Sequence, residues 1–499
     1  MSNVVVSSGQ TSSGFVVSNG SSLTVLAGAK IVSTRVLDGG SADISSGGSA
    51  SATFLTSGGY EYVSAAGISI RATISGGSQY VSAGGSSLSA TVSAGSQVVE
   101  GGTVSGTIVS SGGLQAVYSG TAVGTIVKNG GIETIDNVSV APGNARSVSA
   151  TISSGGKQDV FHNSIANKAV LLRGGYEYVS GGTTTGTTAS GGYEFVYSGG
   201  VASGTTLSSG GSEFVFSGGV VSGTVVSSGG TEEIVGRGAA HGTIVKNSGK
   251  DLVGMDQYRH VPPGSPPPLS VGGGPLSVSA TISSGATQYV YSGGDASGTT
   301  VRSGGFETVS YGGLSVSATL LGGDAYVYSG GVASGTRVSR GALLTVGSGG
   351  TASQVTVVGG AVHVSTGGTA TGLSVGSGGT AIVQSGGIVS GAVIFAPKAT
   401  LSVAGAAVSG LTLSGFAATD MLDLASFAFN KSETVSFSEN AKKTQGVLTV
   451  NSGGLKASVT LFGQYAATGF HLVNDAGGTA VTYSAATSAV RPDLAPGHA

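Results

Sequence analysis

Pairs of glycines cut this chain into short apolar runs at a nearly constant interval, and that spacing restricts the fold more than any other feature. Between Gly191 and Gly230 two near-copies lie end to end, GGYEFVYSGGVASGTTLSS and GGSEFVFSGGVVSGTVVSSGG. The pairs Gly191/Gly192, Gly210/Gly211 and Gly229/Gly230 recur every 19 residues, and Gly199/Gly200 and Gly218/Gly219 fall eight residues into each unit. Short runs of Val, Thr, Tyr and Phe bounded by Gly and Ser are strand signals. Each unit therefore reads as two short strands, each closed by a glycine-rich turn. Helix is disfavoured: Gly costs ~1 kcal/mol against Ala in a helix interior, β-branched residues add to that, and no helical period is visible.

A two-strand unit has one apolar face and nothing to cover it. Stacking identical units buries that face and pairs each backbone with the next coil. The expected fold is all-β, a solenoid of ~19-residue Gly-rich repeats with strands ~4.8 Å apart along the stack. A right-handed parallel β-helix is the first choice, with a β-roll or an antiparallel solenoid as the second. Equal positions then form columns: Tyr178, Phe195 and Phe214 make one, Val179, Val196 and Val215 the next. The first is an aromatic ladder, each pair contributing about 0.5–1.5 kcal/mol beyond area burial. Alternation puts the two columns on opposite faces, and the pattern leaves open which face is inside.

Composition narrows the class. Gly is 93 of 499 residues without a collagen period, and charged residues are only 9%, against ~25% in an ordinary globular protein. With 39% hydrophobic residues the chain can bury a thin core, and charge-driven disorder is excluded. A net charge of −2 gives no nucleic-acid footprint. The absence of cysteine rules out disulfides, thiolate metal sites and cysteine nucleophiles, and is compatible with export. No run approaches the ~18 apolar residues of a membrane helix. MSNVVVSSGQTSSG lacks the basic and apolar regions of a Sec-type signal, so the chain reads as starting inside the repeat, with no obvious N-terminal cap.

Along the chain, residues 1–249 read as solenoid repeats. Two stretches break the period and read as protruding loops: 136–150, and KQDVFHNSIANKAV from Lys157. Residues 250–276 form a Pro/Gly-rich insertion or joint holding six of the ten prolines, Pro262, Pro263, Pro266, Pro267, Pro268 and Pro275; proline cannot donate to a sheet ladder. Solenoid repeats resume over 277–415. Residues 416–484 read as a small β-rich C-terminal capping module with one short helical piece, and 485–499 as a disordered tail. Solenoid ends pair with other chains unless capped, which gives that module its purpose.

Glutamates occupy one place, the second residue after the glycine pair: Glu61, Glu133, Glu177, Glu194, Glu213, Glu232 and Glu307. The expected role is a solvated polar edge that keeps the stack soluble. The rival reading is a calcium rail, because carboxylates stacked ~5 Å apart raise their pKa values or attract a cation. The GGxGxDxUx calcium repeat is absent; GGDAS at Gly293 and GGDAY at Gly322 resemble it only superficially. Polysaccharide-cleaving β-helices need clustered carboxylates or Arg and Lys at sugar distance, and the 21 basic residues here are scattered. Glu232 and Glu233 are strand neighbours and point opposite ways. His162, His241, His260, His363, His471 and His498 show no metal-ligand spacing. No GxSxG precedes a helix. Asp420 and Asp423 are candidates for a cation site, with a turn-forming role preferred. No catalytic, cofactor or metal residue is assigned, and no enzyme activity is expected.

The pattern SGGxxxVxSGGxASGTxVxSGG, as in Ser190 to Gly230 and again Ser348 to Gly387, resembles the strand-loop-strand passenger repeat of self-associating autotransporter adhesins, the family of the adhesin involved in diffuse adherence. The resemblance covers roughly residues 4–410. It implies an extracellular or surface-bound bacterial protein with a β-helical passenger, acting in adhesion, autoaggregation or biofilm formation. It also implies heptosylation of repeat serines by a dedicated glycosyltransferase, with Ser198, Ser203, Ser217 and Ser222 the candidates by position. The implied partners are like chains, host surfaces or abiotic surfaces. The chain is expected to depart from the family in lacking a C-terminal translocator barrel of alternating strands. DMLDLASFAF…LTVNSGG…ASVTLFGQY instead resembles the closing segment of large repeat proteins exported by other routes. The alternatives are a carbohydrate-binding or carbohydrate-active β-helix, with the insertion lining a groove, and a structural matrix component that assembles end to end.

Overall fold

A computed structural model describes residues 3–137, 145–254, 274–408 and 410–484. The proline-rich body of the insertion, the tail 485–499, His260 and His498 lie outside the described residues. The chain divides into two compact units, one ending at Thr243 and the other beginning at Ile244. Both are parallel β-solenoids, right-handed β-helices with about 21 turns in the chain. The alternative antiparallel stacking is thereby excluded for the repeats.

A typical turn holds three strands rather than two, the first two merging in Ser96–Ser105 and Leu114–Val123. In one turn these are Tyr193–Val196, Val201–Ser203 and Thr206–Ser208; in the next, Ser212–Val215, Val220–Ser222 and Val225–Val226. Every strand pairs in parallel with its counterpart one turn on, Glu194 with Glu213, Ala202 with Val221 and Leu207 with Val226. Three ladders result. The extra corner lies inside the second run of the repeat, at the Gly of SGT: Gly204 (φ 67) and Gly223 (φ 65) are left-handed there. Where glycine is missing, Ser33 (φ 54), Arg71 (φ 55), Ser89 (φ 55), Lys168 (φ 56) and Gln354 (φ 53) adopt the same conformation. One left-handed residue bends a strand without any longer turn signal, so the corner does not show in the pattern of glycine pairs.

The paired glycines have separate duties. The first supplies positive φ at the turn, as at Gly199 (φ 74) and Gly218 (φ 77), which costs glycine nothing. The second lies against the backbone of the preceding turn: a Cβ on Gly200 would overlap the Val179 carbonyl, and one on Gly219 the Val196 carbonyl.

The valine column faces inward. Val179, Val196 and Val215 are fully buried, with Ala202 and Leu207 from the other two ladders. The aromatic column faces outward yet covers itself. Ring centroids are 5.1 Å apart for Tyr178 and Phe195 and 5.2 Å for Phe195 and Phe214, while Tyr197 and Phe216 stack beside them at 4.9 Å. Phe195 is consequently only 1% exposed although it points away from the core.

The segment from Lys157 is not a protruding loop. It forms an ordinary turn of three strands, Lys157–Phe161, Ile165–Asn167 and Val170–Leu172, each in register with its neighbours. Its polar text misleads because His162 (φ 35), Asn163 (φ 60) and Lys168 (φ 56) occupy left-handed corners that glycine fills elsewhere. Of the other suspected loop, Ile132–Asp136 and Arg146–Val148 are ladder strands, and residues 138–144 lie outside the described residues.

From Met421 the stacking rule changes. Met421–Ala428 pairs in parallel with Thr400–Val403, but Gly478–Tyr483 returns antiparallel along it. Thr434–Glu439, Gln445–Ser452 and Leu455–Phe462 form an antiparallel meander joined to Thr412–Ser414. Phe437, Tyr465, Phe470 and Tyr483 cluster with centroids 4.9–5.8 Å apart. The expected helical piece is a three-residue 3-10 turn, Ala467–Gly469.

Candidate functional site

The glutamates form a buried column, not a solvated edge. Along the first ladder Glu61, Gln79, Gln97, Gln115, Glu133, Gln158, Glu177, Glu194, Glu213 and Glu232 follow one another in register. All are fully buried. The reason is parity: Glu194 stands two residues before Val196 on the same strand and shares its face, so burial of the valines carries the carboxyls inward.

Two sets of hydrogen bonds hold the column, leaving Glu61 Oε1, Gln158 Oε1 and Glu177 Oε1 as buried oxygens outside them. Along the axis, Gln79 Nε2 donates to Glu61 Oε2 at 2.5 Å, Gln97 Nε2 to Gln79 Oε1 at 2.7 Å and Gln115 Nε2 to Gln97 Oε1 at 2.7 Å. Gln158 donates to Glu133 Oε2 at 2.6 Å. From across the core, hydroxyls donate to each turn: Ser69 to Glu61 (2.9 Å), Thr107 to Gln97 (3.0 Å), Thr187 to Glu177 (3.1 Å), Thr224 to Glu213 (2.8 Å) and Thr243 to Glu232 (3.2 Å). Glu194 receives both Thr184 (2.7 Å) and Thr205 (2.9 Å). Most of these threonines are the Thr of the recurring Gly-Thr step, ten or eleven residues after the acid or amide. A reading confined to glutamates misses the isosteric Gln79, Gln97, Gln115 and Gln158 and these hydroxyl partners. The joint recurrence of Glu or Gln with Gly-Thr is the signal that finds them.

Burial pushes the carboxyls of Glu61, Glu133, Glu177 and Glu194 above their ordinary value, against the opposing effect of their hydroxyl or amide donors. Glu213 is pushed up to about 8 by burial and then by the neighbouring Glu194. The stack is therefore held toward the neutral acid, and a neutral carboxyl can donate to the next one, as between Glu194 and Glu213. This is the opposite of what a calcium rail needs, which is ionised and accessible oxygen. Among the described residues no cluster of His, Asp and Glu has the geometry to hold a metal.

In the second unit the column begins with Asp251, Gln288 and Glu307, all buried. Gln288 donates to Asp251 at 2.8 Å, Thr299 to Gln288 at 2.9 Å and Ser315 to Glu307 at 2.9 Å. Burial pushes Glu307 up to about 7. Beyond it the same position holds Ala325, Leu344, Val362, Ala381, Leu401 and Leu422.

The four candidate serines lie on the outer surface at two equivalent corners. Ser198 is exposed in the turn after the first strand, and Ser222 is exposed at the end of the second. Ser217, equivalent to Ser198, is half-buried and its Oγ accepts the Arg237 N–H at 3.0 Å. Ser203 stands in register with Ser222, is half-buried, and donates to the Thr184 carbonyl at 3.4 Å.

The remaining candidates are not drawn together. His162 Nδ1 sits 2.7 Å from Asp136 Oδ1 at the surface, His241 pairs in register with Ser222, and His471 contacts the Ser484 hydroxyl at 2.7 Å. His363 lies in the first ladder between Thr345 and Ile382. Glu233 is in register with outward Phe214, opposite in direction to Glu232. Asp420 accepts the backbone N–H groups of Ala399 (2.9 Å) and Ala417 (2.8 Å), and Asp423 accepts the Ser402 hydroxyl at 2.6 Å. Both aspartates serve the local fold.

Neither a family model nor a curated protein matches the sequence. Solved structures similar to it include a TibA fragment hyper-glycosylated by TibC, 25% identical, covering 78% of this chain and 99% of that one with a TM-score of 0.28. A tailspike protein of Acinetobacter baumannii bacteriophage Fri1, a capsular polysaccharide depolymerase, is 8% identical over 77% of each chain with a TM-score of 0.22. The Dettilon tailspike protein is 12% identical over 87% of this chain and 70% of that one with a TM-score of 0.17.

Proposed function

We propose that this protein is a non-enzymatic bacterial surface or secreted repeat protein acting in adhesion, autoaggregation or biofilm formation, and that a glycosyltransferase modifies its outward serines. The observation that carries the reading is the register of the outer corners. Equivalent residues such as Val201 and Val220, or Ser203 and Ser222, stand directly over one another in successive turns. A surface built this way offers one weak contact many times, and repetition converts weak contacts into avidity. The repeat's resemblance to self-associating adhesin passengers supports the same role. Exposure ranks the acceptors: Ser198 and Ser222 first, Ser203 and Ser217 second.

Intact-mass spectrometry of protein recovered outside its native host cells tests this. The expected result is a mass above the 47.7 kDa chain, with sugar on peptides carrying Ser198 or Ser222, and faster settling of cells that display the protein. An unmodified chain confined to the cytoplasmic fraction overturns the reading.

A further inference from the structure

The outer face of the first ladder carries a phenol pair that stacks across adjacent turns, where Tyr289–Tyr291 and Tyr326–Tyr328 stack within one turn. Tyr62 and Tyr80 occupy equal positions in adjacent turns. Their ring centroids are 5.3 Å apart and their planes differ by 14°. Tyr62 is 40% exposed and its neighbour Tyr60 37%, so an oxidant can reach the ring edges. In the other large stack a phenylalanine intervenes: Tyr178 lies over Phe195, and Tyr197 over Phe216. Phenylalanine cannot form a phenoxyl radical. Tyr289 and Tyr326 face Thr308 and Thr345 on the next turn. Tyr176 and Tyr193 do stack across turns at 5.5 Å, but both are half-buried and packed beside Phe195, whereas in the Tyr62–Tyr80 pair only Tyr80 is half-buried.

We propose that Tyr62 and Tyr80 are an oxidative coupling site, at which a haem peroxidase with hydrogen peroxide joins the two phenols into a dityrosine bridge between successive turns. Each phenol gives up one electron and one proton. The two phenoxyl radicals join through ortho carbons, and the ortho hydrogens move to oxygen as the rings regain aromaticity. The protein loses two hydrogen atoms in all, and the peroxide is reduced to two waters. The near-parallel rings are 5.3 Å apart on the outward face, Tyr62 exposed and Tyr80 half-buried, so joining their ortho carbons needs a tilt of two outward side chains. In a chain with no cysteine, this links adjacent turns covalently and closes the loop between Tyr62 and Tyr80. Closing such a loop removes entropy from the unfolded chain, as a disulfide does.

The test is to treat the full chain with a haem peroxidase and hydrogen peroxide and map the products. The expected product is a monomer lighter by two hydrogen atoms, with dityrosine fluorescence, one cross-linked peptide pair and a higher thermal midpoint. Tyr80→Phe and Tyr62→Phe each keep a stacked ring, so both variants should fold with unchanged circular dichroism and lose the bridge. The proposal is overturned if dityrosine appears only between copies, if the bridge survives in either variant, or if it maps to Tyr60 instead of Tyr62.

Discussion

The two units build the same three-ladder turn around different interiors. In the first, the leading inward position of the first ladder is an acid or amide in every turn from Glu61 to Glu232; in the second, it is polar through Glu307 and then Ala325, Leu344 and Val362. The backbone register tolerates either. What differs is the obligation each imposes. A buried carboxyl or amide must be met by hydroxyls from the opposite wall, since an unmet polar group costs about 1–3 kcal/mol. Where the threonine persists without its acid, beside Leu23 at Thr34 and beside Ala325 at Thr336, the hydroxyl has no partner. The polar column is therefore a coordinated feature of two walls, and an apolar column needs only volume.

The sharpest break of this contrast is a fixed charge of the wrong sign. Glu194→Lys places an ammonium between Thr184 and Thr205 with no counter-charge required to be ionised, and should destabilise the first unit by about 3–5 kcal/mol, read as a lower urea midpoint. An equal loss from Glu194→Gln, which keeps the shape and adds no charge, would show that the carboxyl itself rather than the introduced charge governs the position.

Alkaline pH comes next. The buried carboxyls are raised in the folded state, so their stabilising contribution is full below the ordinary value of 4.5 and is lost as pH rises through the folded value, about 8 for Glu213 and about 7 for Glu307. The slope is at most about 1.4 kcal/mol per pH unit for each group. Thermal midpoints should fall between pH 5 and pH 9 by roughly several degrees, and Glu213→Gln should reduce the fall more than Glu307→Gln. A flat profile in the native chain would mean that these carboxyls ionise without cost.

Thr224→Val and Thr336→Val sharpen the comparison with identical chemistry. The first removes the donor to Glu213 and should cost about 1–2 kcal/mol; the second removes a hydroxyl without a partner and should be neutral or stabilising. Equal effects in chemical denaturation would refute the two-wall account. The smallest change concerns the third corner. Ser89 (φ 55) and Ser317 (φ 57) hold left-handed backbone, one in each unit. Ser89→Gly and Ser317→Gly should each stabilise by about 0.5–1 kcal/mol, the relief of left-handed strain less the added freedom of unfolded glycine.

Much of this protein is decided by local chemistry, and the sequence determines that part alone. Glycine pairs impose turns, runs such as EFV and VAS cannot be helical, and a unit too small to bury its own face has to stack. Parallel registration then follows, with Tyr178, Phe195 and Phe214 in one column and their valine neighbours in another. Alternation separates these columns but carries no sign. Both are apolar, so either could line the core. Closure of the coil through the left-handed corner at Gly204 brings the third ladder opposite the first, and that decides the sign. It turns Val196 and, two residues earlier, Glu194 inward, leaving Phe195 to be covered by its own stack. The same closure makes the threonine of Gly-Thr a partner of an acid eleven residues away. It also makes an ordinary turn of the polar segment from Lys157. These outcomes depend on contacts between turns and across the core, which exist only once the coil has closed.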